Sequence, residues 1–169
     1  MAQRWLILRA GGHGRSLCDV IAATGTLVNR SPVLGVLSLA WDLKRLFEAF
    51  SEAPPDQVVV AIGNPALRQT WQQLLEQLVA PLGVVLHPRA IVSATAQLGP
   101  GSVVLAGAVV NANASLHQGV LVNSGAVVDH DAICGAYSQL GVNAAMAGGS
   151  RLGPLACLAP GAVLNCGCR

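Results

Sequence analysis

The sequence is poor in charge and in aromatic rings, and each shortage excludes a class of protein. Charged residues make up 11% and aromatic residues 4% of the 169 residues, whereas hydrophobic residues reach 53%. Disordered chains combine few apolar residues with many charges, so disorder is excluded. The net charge is +2 and Lys and Arg form no cluster, which predicts that the protein has no nucleic-acid partner.

Long apolar runs and a paired cysteine framework are also missing. Apolar runs such as Val103–Val110 are short and broken by Gly, whereas a membrane span needs roughly 20 residues. The run Trp5–Leu8 is too short for a signal peptide. The five Cys are odd in number and show no metal-ligand spacing, since two thiols at Cys166 and Cys168 do not make a zinc site. We therefore expect a reduced, cytoplasmic protein with no membrane partner and no metal.

Composition changes sharply along the chain. Of the 18 charged residues, 13 precede residue 87, as do all three Trp and both Phe. Such a shift marks a domain boundary, which we place near Leu86–Pro88. The prediction is one domain at 1–86 and a second at 87–169.

The first domain alternates strand and helix signals. Apolar runs predict strands at 5–8, 33–37, 58–62 and 83–86. Helical spacing of apolar residues follows the turn Gly11–Gly14 and recurs at 41–50 and 66–79, with a loop at 51–56. This order predicts a small parallel α/β unit of Rossmann-like type.

The second domain is dominated by a repeat of six residues. Thirteen positions spaced by six are all apolar: Val92, Leu98, Val104, Val110, Leu116, Val122, Val128, Cys134, Leu140, Met146, Leu152, Leu158 and Leu164. Two residues before each of them, twelve of the thirteen residues are Ala or Ser. One inward aliphatic residue and one small corner residue per six predict a three-sided parallel coil. Three hexapeptides make one turn, and turns spaced by about 4.8 Å give a little over four coils.

Hexapeptides of this kind resemble those of the left-handed β-helix acyltransferases. Four further segments, GGHGR, VAIGNPALR, HPRA and VNSGAVVDHD, resemble one family over nearly the whole chain. It is the sugar O- and N-acyltransferase family that contains sialic acid O-acetyltransferases and N-acetyltransferases of nucleotide-linked amino sugars. The resemblance implies a left-handed parallel β-helix, acetyl-CoA as co-substrate, a sugar or sugar-nucleotide acceptor, and a homotrimer with its sites between subunits.

His130 is the candidate catalytic residue. Asp129 and Asp131 flank it and carry the only formal charges between Arg89 and Arg151. An imidazole beside a carboxylate suits a general base near neutral pH, although a solvated corner with a chance His is an alternative. The resemblance implies that His130 is the base and that Asp131 orients it or raises its basicity.

Two segments are candidates for acceptor binding. Gly lets a ligand approach the backbone of the turn Gly11, Gly12, His13 and Gly14, and the next helix N-terminus favours phosphate. The resemblance implies that His13 meets the sugar nucleotide and that Asn123 hydrogen-bonds the sugar amine. A turn His without a role and a corner ladder of Asn111 with Asn123 are the alternatives. His87 is expected to be structural and His117 to be exposed at a corner.

The resemblance also implies the acetyl-CoA contacts. Gln139 stands where the family often has a His at the thioester, and the pantetheine groove would run near Gly148 and Ala159. Because of that replacement and of a short C-terminus, a truncated, catalytically degenerate scaffold is an alternative function. A γ-class carbonic anhydrase is a third possibility, which needs three His ligands around zinc, whereas only His117 and His130 lie in the coils.

Overall fold

A small parallel sheet with two helices precedes a long coil of short strands in the computed structural model. The structure describes residues 5–8, 12–23, 33–37, 51 and 54–169. The elements of the first part are β1 (Trp5–Leu8), α1 (Gly12–Ile21), β2 (Val33–Leu37), β3 (Gln57–Val60) and α2 (Pro65–Gln77). The three strands pair in parallel in the order β2-β1-β3. Their interpretation as a Rossmann-like domain ending at residue 86 stays a prediction.

Most predicted elements of this part are present with shifted ends. Strands β1 and β2 have the predicted bounds, whereas the strand predicted at 58–62 is β3, 57–60. The helix predicted at 66–79 begins at Pro65, because Asn64 caps it by accepting a hydrogen bond from Leu67 N, and it ends before Val79, which has a φ of 53°. Ser51 is helical, so the loop predicted at 51–56 begins too early. The helix predicted at 41–50 lies outside the described residues.

Fourteen strands of two residues each form a parallel β-solenoid of about four turns. The strand predicted at 83–86 contributes only its last two residues, because Gly83 N bonds Val58 O of the small sheet. The strands are β4 (Val85–Leu86), β5 (Ile91–Val92), β6 (Gln97–Leu98), β7 (Val103–Val104), β8 (Val109–Val110), β9 (Ser115–Leu116), β10 (Leu121–Val122), β11 (Val127–Val128), β12 (Ile133–Cys134), β13 (Gln139–Leu140), β14 (Ala145–Met146), β15 (Arg151–Leu152), β16 (Cys157–Leu158) and β17 (Val163–Leu164).

The solenoid has three flat faces. Face 1 stacks β4, β7, β10, β13 and β16; face 2 stacks β5, β8, β11, β14 and β17; face 3 stacks β6, β9, β12 and β15. Partners in neighbouring coils are 18 residues apart, as in Val103↔Leu121 and Leu121↔Gln139. The prediction of three hexapeptides per coil is confirmed.

The repeat positions form the core of the solenoid. Each of the thirteen aliphatic positions is the second residue of a strand from β5 to β17. In the central coils these residues are fully buried, together with the small residues two positions before them. Cys134 is one of them, and burial raises the pKa of its thiol to about 12. The expectation that it is a core residue is confirmed.

Three corners join the faces, and we number each corner by the face it follows. Corner 1 contains residues 87–90, 105–108, 123–126, 141–144 and 159–162. Corner 2 contains residues 93–96, 111–114, 129–132, 147–150 and 165–168, and corner 3 contains residues 99–102, 117–120, 135–138 and 153–156. From residue 99 onwards, one residue in each turn between strands has a left-handed φ, and in corner 2 this residue is Asn113, Asp131, Gly149 and Gly167 in successive coils.

Helix α1 covers strands β4, β7 and β10 of face 1. Its residues Leu17 and Val20 share a buried cluster with Val85, Val103 and Leu121. Helix α1 therefore packs against the solenoid through this cluster. None of the helices in the described segments is long and apolar enough to cross a membrane.

Candidate active site

His130 lies at the surface of corner 2, between β11 and β12. Its side chain is 61% exposed. Nδ1 lies 2.9 Å from Oδ2 of Asp131, and Nε2 lies 4.0 Å from Oδ2 of Asp129. The first distance is a hydrogen bond and the second is not. With Asp131 ionised, Nδ1 carries the proton and the lone pair of Nε2 is left for a ligand.

Asparagines of the preceding coil hold both carboxylates. Asn111 Nδ2 donates to Asp129 Oδ1 over 2.8 Å, and Asn113 Nδ2 donates to Asp131 Oδ1 over 3.2 Å. Each pair is 18 residues apart, one coil along the same corner. The alternative of a ladder between Asn111 and Asn123 is wrong, because a spacing of 12 residues places Asn123 in corner 1.

The electrostatics of this cluster favour a proton acceptor. The hydrogen bond that Asp131 accepts from Nδ1 raises the pKa of His130 above its usual value, and the charge of Asp129 adds to the effect. The pKa of Asp131 is lowered, first by its bond to His130 and then by Asn113. The pKa of Asp129 is lowered by its bonds with Asn111 and with the backbone N–H of His130. Both carboxylates are thus ionised at neutral pH, and the imidazole is a stronger base than a free His.

Gly148 makes room for the imidazole in the next coil. A Cβ atom built on Gly148 would lie 2.5 Å from Nε2 and 2.6 Å from Cε1 of His130. The ring thus leans along the solenoid axis and occupies the space that any other residue at position 148 would fill. Gly148, predicted as an acetyl-CoA contact, lies beneath the candidate base.

Asn123 and Ala159 stand on corner 1, one face away from His130. Asn123 is half-buried, and its Nδ2 donates to Leu140 O over 2.7 Å. Its Oδ1 takes no part in that bond and can accept a hydrogen bond from a ligand. Ala159 occupies the same corner position two coils further on and is exposed.

Gln139 belongs to the solenoid, whereas His13 belongs to the first turn of α1. Gln139 lies on face 1 between corners 3 and 1, and its buried Oε1 has no hydrogen-bond partner within the described part of the chain. His13 is in the first turn of α1 with Gly12 and Gly14. Burial lowers the pKa of His13 to about 4, with a further contribution from the charge of Arg68. His13 is therefore neutral at physiological pH. Gly11 lies outside the described residues.

The predicted site residues of the solenoid thus fall into two sets. His130, Asp131 and Gly148 share corner 2, while Asn123, Gln139 and Ala159 share face 1 and corner 1. Face 2 separates the two sets within one chain. The roles of all these residues stay predictions.

The remaining histidines take no part in either set. Nδ1 of His87 accepts a bond from Arg89 N over 3.0 Å within a turn, as expected of a structural residue. His117 is exposed in corner 3, as predicted. Across residues 12–23 and 54–169, no three side chains of His, Cys, Asp or Glu are placed to hold a metal ion.

The sequence analysis missed three residues near these sets. Asn111 was considered only as a ladder partner of Asn123, and Asn113 was overlooked, although a search at a spacing of 18 pairs both with the aspartates. Arg68 was overlooked because it was part of a motif without an assigned role. Its position on the helix, four residues before Gln72 and seven before Leu75, puts a charge on the buried face of α2, which is a signal the sequence contains.

The chain resembles solved structures of sugar acetyltransferases along almost its whole length. No family model matches the chain, and no curated protein matches it. It is 30% identical to the acetyltransferase domain of PglB from Neisseria gonorrhoeae in complex with acetyl coenzyme A, over 98% of this chain and 92% of that one, with a TM-score of 0.77. It is 27% identical to PerB from Caulobacter crescentus in complex with CoA and GDP-perosamine, over 99% and 91%, with a TM-score of 0.78.

A more distant structure shares the fold. WeeI from Acinetobacter baumannii is 15% identical over 95% of both chains, with a TM-score of 0.53. The Caulobacter enzyme also matches as variants in which one histidine is replaced by Asn or by Ala, both in complex with CoA and GDP-perosamine. Identity of 30% across nine tenths of the Neisseria domain, on a solenoid built from the same kind of repeat, shows that the chain belongs to the hexapeptide-repeat sugar acyltransferases and is an enzyme of that type.

Proposed function

We propose that the protein transfers the acetyl group of acetyl-CoA directly to an amine or hydroxyl of a nucleotide-linked sugar, with His130 as general base. The titles of the similar structures name acetyl-CoA, CoA and GDP-perosamine as bound molecules. The observation that carries the proposal is the state of His130. Its Nδ1 is held by Asp131, while the side chain is 61% exposed and Nε2 has no hydrogen-bond partner among the described residues.

The reaction follows from that geometry. Nε2 accepts a proton from the acceptor N–H or O–H as the heteroatom attacks the thioester carbon. Asp131 stabilises the imidazolium that forms, because its carboxylate accepts the hydrogen bond from Nδ1–H throughout the reaction. When the tetrahedral intermediate collapses, the C–S bond breaks and the proton passes from Nε2 to the CoA sulfur. Backbone N–H groups of the coil stabilise the oxyanion.

Acetyl-CoA would bind where two chains meet. Gln139 and Ala159 lie on face 1 and corner 1, whereas Gly148 lies on corner 2 beneath His130. One elongated molecule that contacts all three requires corner 2 of one chain to lie against corner 1 of another. The same arrangement brings Asn123 of one chain to His130 of its neighbour.

A homotrimer is the assembly we propose. The outward positions of face 2 are all aliphatic, and its end residues are 67% and 63% exposed: Ile91, Val109, Val127, Ala145 and Val163. An apolar face of this kind favours burial against another chain. A three-sided prism that packs this way around a threefold axis gives three equivalent sites.

The first domain, 1–86, would hold the nucleotide part of the acceptor. We propose that it is Rossmann-like and that the coil of domain 87–169 is left-handed, as the family resemblance implies. The neutral imidazole of His13 has one N–H donor and one acceptor nitrogen, which suits hydroxyl groups of a sugar. The five thiols are free, which supports a cytoplasmic enzyme.

Release of the CoA thiol from acetyl-CoA tests this function. The acceptors are a panel of nucleotide-linked amino sugars, the matching 4-hydroxy sugars and free sialic acid. Release with one acceptor, together with an acetylated product in the mass spectrum, supports the proposal and identifies the acceptor atom. No release with any acceptor from the folded, acetyl-CoA-binding protein contradicts it and favours the degenerate scaffold.

A further inference from the structure

Arg68 is a fully buried cation at the junction of the two parts of the chain. It belongs to the segment VAIGNPALR, in which Asn64 caps α2 and Pro65 begins it. It is 1% exposed and shares the buried face of the helix with Gln72 and Leu75. A helix of this kind normally has apolar residues on that face. Arg68 therefore has a function that an apolar side chain does not supply.

Backbone carbonyl groups from three segments surround the guanidinium. Nε donates to Gly119 O over 2.8 Å. Nη1 donates to Ile62 O over 2.7 Å and to Gly63 O over 3.2 Å. Nη2 donates to Tyr137 O over 2.7 Å and to Ser138 O over 3.4 Å. Five contacts match the five N–H groups of the side chain, so the planar group joins the end of β3 to two coils of corner 3.

The charge of Arg68 is held without a carboxylate. No ion pair joins it to Asp or Glu in the described segments, and burial lowers its pKa to about 10. Carbonyl oxygens satisfy its donors but leave its charge in place. A buried charge is costly unless it is hydrogen-bonded on all sides, which is the case here.

Arg68 interacts with both halves of the proposed site. On the helix side it binds the carbonyl groups of Ile62 and Gly63, which follow β3. Strand β3 pairs with β1, the strand that precedes α1 and His13, and Ala61 N donates to Leu8 O over 3.0 Å. The charge of Arg68 also contributes to the lowered pKa of His13. On the solenoid side it binds the carbonyl groups of Tyr137 and Ser138, the two residues that lead into Gln139.

We propose that Arg68 is a positioning residue for acetyl transfer: it fixes the turn that carries His13 relative to the strand that carries Gln139. The inference rests on the proposed function, in which His13 meets the sugar nucleotide and Gln139 the thioester. Arg68 touches neither substrate. It sets the distance between the two bound substrates, and a displacement of about 1 Å between reacting groups is enough to cost roughly a hundredfold in rate.

The test compares Arg68→Lys with the wild type and with the control Arg151→Lys. Lys keeps the charge but has three donors on a flexible stem, so it does not reproduce the planar contact with both sides. Arg151 is exposed on β15 at an outward position of face 3, and it belongs to neither set of site residues. The measurements are the melting temperature, kcat, and the KM of each substrate.

We expect Arg68→Lys to lower kcat by about a hundredfold while both KM values change by less than about threefold. In a double-mutant cycle, Gln139→Ala should add little to the loss already caused by Arg68→Lys, because both disturb the same alignment. A merely structural role predicts instead a lower melting temperature with kcat unchanged per folded molecule, or losses that add.

The remaining outcomes also test the inference. If Arg68→Lys does not fold, Asn64→Ala replaces it, since loss of the cap loosens the helical turn that carries Arg68. A wild-type kcat in that variant overturns the inference. If the wild type transfers acetyl and Arg68→Lys equals Arg151→Lys, the inference fails and the proposed function stands. If the wild type transfers nothing, both fall.

Discussion

Replacement of Gly148 by Ala tests whether the position of the His130 ring matters for catalysis. The added Cβ would lie 2.5 Å from Nε2, 2.6 Å from Cε1 and 3.2 Å from Cδ2. Ordinary contacts between such atoms begin near 3.4 Å, so the ring must move by about 1 Å. The backbone of Gly148 is not left-handed, and the ring is free to move because it is exposed.

The expected effects on stability and on rate follow from the close approach of the new Cβ and from the freedom of the ring to move. Stability should change by less than about 0.5 kcal/mol, because the exposed His130 ring can move away from the new Cβ. A base displaced by about 1 Å should cost about a hundredfold in kcat, or about 2.7 kcal/mol in the activation free energy. Nδ1, which bonds Asp131, is not among the ring atoms that the new Cβ would meet. When the ring moves, this hydrogen bond must lengthen or change its angle.

The assay is steady-state CoA release with the acceptor identified from the panel. Gly153→Ala is the matched control, because a Cβ there meets nothing within 4 Å. A wild-type kcat/KM in Gly148→Ala refutes the reasoning about the base. An unchanged kcat with a raised KM for acetyl-CoA also refutes it, and assigns Gly148 to the cofactor groove alone.

Four further predictions rest on the same structure. Asp131→Asn replaces the carboxylate that raises the pKa of His130 with a neutral amide, so that pKa falls. Since transfer needs neutral His130, the acid limb of the pH–rate profile should move to lower pH, while the rate on the alkaline plateau falls because the base is weaker. An acid limb that stays in place would mean that Asp131 does not set the basicity. In NMR titrations the His13 imidazole should stay neutral down to about pH 4, and a titration near the usual value of about 6.5 would exclude its burial. Met146→Ala should lower the free energy of unfolding in urea by about 2–5 kcal/mol, because the side chain is fully buried in the central coils; a loss under about 1 kcal/mol would contradict that packing. Gly119→Ala should destabilise the protein, since φ is 65° and a Cβ would meet Gln72 and Tyr137, and an unchanged melting temperature would contradict this geometry.

The solenoid was predictable from the sequence because its period is imposed by geometry. Each coil repeats the same inward and corner positions, so all thirteen hexapeptides carry the same pattern and predict the same structure. The strands that result are only two residues long, and their burial depends on stacking rather than on local propensity. The pairing of Asn111 with Asp129 follows the period of 18 residues, that is one whole coil, and not the period of six that defines the inward positions.

The first part of the chain was less predictable in its details. Strand ends at Val60 and Val85 depend on bonds between distant segments, such as Gly83 N to Val58 O, which local sequence does not contain. The role of Arg68 depends on carbonyl groups up to 70 residues away. The separation of His130 from Asn123 by a whole face also follows only from counting strands around the coil.

The central claim is that His130 removes the acceptor proton during acetyl transfer, and the most direct measurement is the single-turnover rate of His130→Ala with saturating acetyl-CoA and acceptor. The account predicts a loss of about 10²–10⁴-fold, with the same melting temperature and the same Kd for acetyl-CoA as the wild type. A folded His130→Ala variant that transfers acetyl at the wild-type rate would contradict it.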